Sequence, residues 1–124
     1  MTKDEQQKLL ESLQKEEAEI LTELATFAKK DPNTEEDFIV PFPNEGTGID
    51  ENAREIEEFE RLNILKNNLV TRLRDVRATI KKINEGIYGQ CETCSSTIIS
   101  TRLKVMPIAR FCIDCANKQR IKSS

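Results

Sequence analysis

The 124-residue chain has no histidine and no tryptophan, one tyrosine, five phenylalanines, four glycines and four prolines. Without histidine there is no Ser-His or Cys-His pair, and no G-x-G-x-x-G run or P-loop offers a phosphate cradle. The chain is therefore read as a non-enzyme. Aromatics at 5% and apolar residues at 37% are thin for a large compact core, but they suffice for the narrow seam between packed long helices. No run approaches the roughly 20 apolar residues of a membrane span. Met1-Thr2-Lys3-Asp4-Glu5 is polar and lacks the apolar stretch of a secretory signal. The expected location is the reducing cytoplasm, where paired C-x2-C motifs favour metal over disulfide.

Two long helical patterns are present. Thr2 to Lys30 reads as a helix, with Thr2 and Glu5 at capping-box spacing and Leu10, Leu13, Ile20, Leu24 and Phe27 forming a stripe that Glu17 interrupts. Asp31-Pro32 is the expected stop. Residues 31–49 form a long connection with breakers at Pro41-Phe42-Pro43 and Gly46-Thr47-Gly48, and with room for one turn from Thr34 to Asp37. This loop either folds back to bury Phe38, Ile39 and Phe42 or leaves them for a partner. Asp50 is a candidate N-cap for a second helix from Glu51 to about Glu85, with Gly86 just past its end. Its stripe is Ile56, Phe59, Leu62, Leu65, Leu69, Leu73, Val76, Ile80 and Ile83; 35 residues would span roughly 50 Å. The stripes need each other, so an antiparallel hairpin in a monomer is expected, with a parallel homodimer as the weaker alternative. Ala116 to Lys122 reads as a short terminal helix.

Charge is segregated. Residues 31–60 carry eleven acids against Arg54 alone, a net of −10, whereas residues 91–124 carry six Lys+Arg against two acids, a net of +4. A solvated acidic face is the plain explanation of the first; a nucleic-acid patch or counter-charge is that of the second. Only Phe111 lies close to the basic residues, so base stacking and direct DNA binding are not expected.

Cys91, Cys94, Cys112 and Cys115 form two C-x2-C pairs separated by 17 residues and account for every cysteine. Each pair brings two thiolates to one ion, and the spacing is that of a zinc ribbon. One structural zinc is expected, since four thiolates leave no position for water. A redox dithiol or two disulfides are the rival readings. Four thiolates and one dication sum to −2, which Arg102, Lys104, Arg110 and Lys118 are placed to offset.

Gly86-x-Tyr88-Gly89-x-Cys91-x2-Cys94, then Ile98, Arg102-Leu103, Pro107-x-Ala109 and Cys112-x2-Cys115, resembles the DksA/TraR zinc-finger family. The resemblance is specific over residues 50–116 and architectural before that. It implies a transcription regulator that binds bacterial RNA polymerase by inserting a coiled-coil tip into the secondary channel to modulate initiation. The family's tip motif, D-x-x-D-x-A, falls on Gly48, Glu51 and Ala53, with Asp50 adjacent, so Asp50, Glu51 and Ala53 are the candidate tip residues. Departures are Ser95 where glycine is common, the long loop, and Met106 where members that bind ppGpp carry a basic residue; the ppGpp response should be weak or absent. The expected fold is all-α: a long antiparallel coiled-coil hairpin (1–85, acidic tip at about 31–60) with a small four-cysteine zinc-finger module and short C-terminal helix (86–124). A zinc-ribbon adaptor for proteins or nucleic acid is the alternative function.

Overall fold

The computed structural model describes residues 2–42 and 49–122, with side chains throughout except at 49–52 and 120–122. In chain order the elements are α1 (Lys3–Phe27), β1 (Lys29–Lys30), β2 (Phe38–Ile39), α2 (Ile49–Glu85), α3 (Ser100–Val105) and α4 (Ile113–Lys122). Among the described residues the regular structure is helical apart from the minimal β1–β2 pair and an isolated bridge between Gln90 and Thr97. No helix among the described residues is long and apolar enough to cross a membrane. Two compact units are formed, Lys15–Asp75 and Met1–Gln14 with Val76–Ser124, so α1 and α2 each contribute to both.

Helix α1 opens at the expected cap. The Thr2 hydroxyl accepts the Glu5 N–H at 3.1 Å and lies 3.2 Å from the Glu5 carboxylate, to which it donates. This satisfies one of the free N–H groups of the first turn. The helix ends three residues before the sequence pattern suggested. Lys29 and Lys30 leave it and pair antiparallel with Ile39 and Phe38. Asp31 holds the intervening turn, its carboxylate accepting the Asn33 N–H at 2.8 Å and its own N–H donating to the Asp37 carbonyl at 3.0 Å. Backbone pairing with Phe38 and Ile39 thus takes the chain out of the helix before Pro32 is reached.

Within Lys15–Asp75 the two long helices run antiparallel. Glu16, near one end of the unit in sequence, makes a two-pronged ion pair with Arg72 near the other, including a 2.9 Å bond from Nη2. Ile20, Leu24 and Ala28 are buried on the first arm and Val70 and Leu73 on the second, with Val40 beside them in the core. These positions follow the three- and four-residue steps of a helical stripe. Lys66 is also buried, and its ammonium reaches Asp37 at 3.3 Å. The loop takes a middle course: Val40 is buried and Phe38 half-buried, while Ile39 and Phe42 are exposed. Phe42 meets Phe59 edge-on at 4.8 Å between ring centroids. Ile56, assigned to the stripe by its spacing, is 46% exposed.

Helix α2 starts at Ile49, which places Asp50 inside the first turn rather than before it. Gly46-Thr47-Gly48 lies outside the described residues.

Candidate metal centre

The second unit is built outward from the end of α2. The Gly86 N–H donates to the Ile83 carbonyl at 3.2 Å and the Ile87 N–H to the Lys82 carbonyl at 3.0 Å. That pair of bonds is a Schellman motif, with Gly86 at the left-handed φ of 76° that it requires. Gly89 has a different constraint. At φ 90° a Cβ there would lie 3.3 Å from Leu103, so the small residue lets α3 approach the backbone. The Tyr88 hydroxyl donates to the Pro107 carbonyl at 2.9 Å, and burial pushes its pKa up to about 12.

The first cysteine pair sits on a tight turn. The Cys91 N–H donates to Ser96 O at 2.8 Å, and the Ser95 N–H returns to Cys91 O at 3.0 Å. Ser95 carries φ 61°, the left-handed region that favours glycine. The second pair straddles the start of α4, with Cys112 just before it and Cys115 in its first turn. Helix N-termini favour thiolates because unpaired N–H groups point at them. Cys91, Cys115, Ile98 and Leu103 form the buried core of the module, with Tyr88, Ala109, Phe111 and Cys112 packed against it.

All four sulfur atoms lie within 4.8 Å of one another. The Cys94 and Cys112 sulfurs are 3.8 Å apart. A tetrahedral zinc with Zn–S bonds near 2.3 Å has sulfurs about 3.8 Å apart, whereas a disulfide needs about 2.0 Å. The donor chemistry fits as well. Hydrogen bonding from the Cys94 backbone is the main cause that draws the Cys91 thiol down to about 6, and the Ser96 hydroxyl lowers Cys94. Cys115 is pushed the other way, to about 12, first by Cys112 and then by its other sulfur neighbours. Thiolates gathered this closely repel one another, and a zinc dication would remove the conflict. Bound there, zinc is a structural crosslink with a complete set of protein ligands.

Glu92 ties this module to the end of α2. Its carboxylate accepts from Lys82 at 2.7 Å and from Arg110 at 3.0 Å, and its N–H donates to Arg110 O at 2.9 Å. Arg110 comes first, and Lys82 after it, in holding the Glu92 carboxyl below its ordinary range. Of the four expected counter-cations, Lys118 lines the cleft at Cys94, Cys112 and Cys115. Arg102 instead donates to Phe111 O at 3.1 Å, Arg110 binds Glu92 and covers the Phe111 ring, and Lys104 faces Glu5 at 3.9 Å. The Glu92 bridge escaped sequence reading because its partners lie ten residues before it and eighteen after it.

Asp50, Glu51 and Ala53 belong to the first turn and a half of α2, in the Lys15–Asp75 unit. Ala53 is exposed; the side chains of Asp50 and Glu51 lie outside the described residues.

Fold and site define a helical protein with a C4 zinc finger. The family model for the prokaryotic dksA/traR C4-type zinc finger matches residues 86–120. An uncharacterized protein of Aquifex aeolicus is 37% identical over 59 residues, 48% of this chain and 41% of that one. The RNA polymerase-binding transcription factor DksA of Buchnera aphidicola is 38% identical over 50 residues, and that of Escherichia coli K12 is 34% identical over 50; each match covers 40% of this chain and 33% of the relative. The shared stretch thus spans about two-fifths or less of those relatives' lengths. The structure of transcription factor DksA2 from Pseudomonas aeruginosa has the same fold, with a TM-score of 0.60 and 18% identity over 98% of this chain and 81% of that one. The chain thus carries a dksA/traR C4-type zinc finger at residues 86–120 and shares the fold of that DksA2 structure.

Proposed function

We propose that this protein is a cytoplasmic transcription regulator that binds bacterial RNA polymerase and, as a monomer, inserts the acidic end of its helical hairpin into the secondary channel to modulate initiation. The observation that carries this reading is the dksA/traR zinc finger at residues 86–120, on the same chain as an acidic stretch, residues 31–60, of net charge −10. Relatives that share the zinc finger are RNA polymerase-binding factors by name. On this reading residues 1–85 provide the reach and 86–124 the base. Asp50 and Glu51, at the start of α2, deliver negative charge beside the polymerase's catalytic metal, and Ala53 keeps the same helical turn small. A narrow channel of low dielectric strengthens such charges.

The test is binding of the zinc-loaded chain to core RNA polymerase in competition with an established secondary-channel protein, followed by transcription with D50A/E51A. Competitive binding at micromolar or tighter affinity, with the transcriptional effect abolished and binding kept in the variant, is the expected result. Absence of binding by a chain with full zinc and helicity would sink the proposal. Loss of binding together with the effect would deny that tip and base have separate roles.

The adaptor reading rests on the excess of cations in residues 91–124. It requires that K118A/R120A/K122A matter more than the tip and that duplex DNA bind with a steep salt dependence.

A further inference from the structure

Helix α2 carries a heptad seam with one charged member. Phe59, Lys66, Leu73 and Ile80 recur every seven residues, and Leu62, Leu69, Val76 and Ile83 recur three residues after them, as the a and d positions of a coiled coil do. Lys66 interrupts an apolar row without turning out to water. It is 9% exposed, in a stripe where Val70 is 3% and Leu73 1% exposed. Its ammonium is answered from outside the two helices. The Asp37 carboxylate meets it at 3.3 Å and also accepts the Phe38 N–H at 2.8 Å. Asp37 is itself held in place. Its carbonyl accepts the Asp31 N–H at 3.0 Å, β1 pairs with β2, and Ala28 and Val40 anchor the two ends of this strap in the core.

Stability does not account for such a pair, because exchanging a buried ion pair for apolar side chains is commonly neutral or stabilising. What the pair excludes accounts for it better. A purely aliphatic seam accepts any other such seam, a second copy's α2 included, whereas a lysine at one a position accepts only a partner that brings an acid to it. Helix α2 has no acid to bring. Residues 61–74 hold Arg61, Lys66, Arg72 and Arg74 and no Asp or Glu. Two copies of α2 in parallel register would set Lys66 against Lys66 and Arg72 beside Arg77. The chain's own first arm is the complement. Residues 15–23 hold Glu16, Glu17, Glu19 and Glu23 against Lys15 alone, and Glu16 takes Arg72 in the two-pronged pair.

We propose that Lys66 and Asp37 select the partner of α2: they direct its seam to the α1 and strap of the same chain and bar a parallel α2–α2 pair with a second copy. A second copy's helix would bury two ammonium groups against each other, and only the strap offers Lys66 a carboxylate. The inference goes beyond the polymerase reading, supplying the reason that a long apolar seam stays within one chain, and it is tested without polymerase.

The test is sedimentation equilibrium of the full-length, zinc-loaded chain at rising concentration. The wild type should stay monomeric to high micromolar concentration. Lys66→Ile puts a β-branched residue at the a position; it should resist heat at least as well as the wild type and show a dimer fraction that grows with concentration. Lys66→Arg keeps the charge and should stay monomeric. Arg72→Glu added to Lys66→Ile exchanges repulsion from Arg77 of a second copy for attraction, and attraction to Glu16 for repulsion, so the dimer should dominate. Arg72→Glu alone, with Lys66 still in the seam, should remain a monomer. In the dimer the Asp31 amide should lose hydrogen-exchange protection, because α2 has left the strap. If Lys66→Ile and, where it folds, the double variant both stay monomeric, the assignment is overturned and the secondary-channel reading stands. A dimer in which the Asp31 amide keeps its protection uses another surface and overturns it too. A dimeric wild type would overturn both this inference and the monomer of the polymerase reading.

Discussion

The two compact units of this chain are held together by different physics. In Lys15–Asp75, aliphatic side chains spaced along two helices bury one another: Ile20, Leu24, Ala28, Val70 and Leu73 need no ligand to do so. In the zinc unit, two of the four residues in the module's buried cluster are the metal-binding cysteines Cys91 and Cys115, joined only by Ile98 and Leu103. A core that small does not close by hydrophobic burial alone. The lesson is that stability and metal occupancy should be separable along one chain.

Zinc removal tests this most severely. Structural zinc contributes on the order of 10–16 kcal/mol in isolated zinc-finger peptides. Chelation, or Cys91→Ser, should therefore strip hydrogen-exchange protection from the amides of Ile98 and Leu103 while those of Leu24 and Leu73 keep theirs. The reverse perturbation, Leu73→Ala, should cost about 2–5 kcal/mol through loss of a fully buried side chain and leave one zinc per chain. Joint collapse of both regions in either experiment would break the comparison.

A smaller effect comes from a matched pair of carboxylates. Glu16 bonds Arg72 in one unit; Glu92 bonds Arg110 and Lys82 in the other. Both carboxyls are held below their ordinary range, first by these arginines. A depressed carboxyl pKa gives stability that is complete above the usual carboxylate range and is lost as pH falls through the lowered value. Glu16→Gln and Glu92→Gln should each cost about 0.5–1 kcal/mol at neutral pH, after allowance for solvent screening. The Glu16 deficit should shrink in acid, as seen in thermal unfolding against pH. Only Glu92→Gln should also speed zinc transfer to a chelator, because only that bridge fixes the turn bearing Cys91 and Cys94. Equal zinc release from both variants would contradict this.

The smallest predicted change is a gain. Ser95 holds a left-handed φ just past the first cysteine pair. Ser95→Gly should stabilise the zinc-loaded module by about 0.5–1 kcal/mol, since relief of the Cβ clash exceeds the entropy that glycine adds to the unfolded chain. Competition with a chromogenic chelator would register it as tighter zinc retention; weaker retention would mean the serine side chain matters to the turn.

Much of the fold and of the metal site is legible in the amino-acid sequence, because the signals are periodic or local. Helix α2 ends at Glu85 with Gly86 beyond it, as the pattern indicates, and the four cysteine sulfurs come together as their spacing requires. Departures cluster where groups act across the chain. The first helix stops at Phe27 because Lys29 and Lys30 find partners in Phe38 and Ile39, a pairing that no local propensity announces. The terminal helix starts at Ile113, three residues earlier than expected, and so takes Cys115 into its first turn.

By itself, then, the sequence determined helix against loop, the four-cysteine zinc motif, and the opposite net charges of residues 31–60 and 91–124, since composition, spacing and capping act within a few residues. The tertiary structure decided which members of each pattern are buried. Lys66 goes into the core with Asp37 for a partner while Ile56 stays half in water, and Ile99, Val105, Met106 and Ile113 gather on one open groove. An apolar residue's tendency to leave water is written in its side chain, but the neighbours that cover it, or fail to, come from distant parts of the chain.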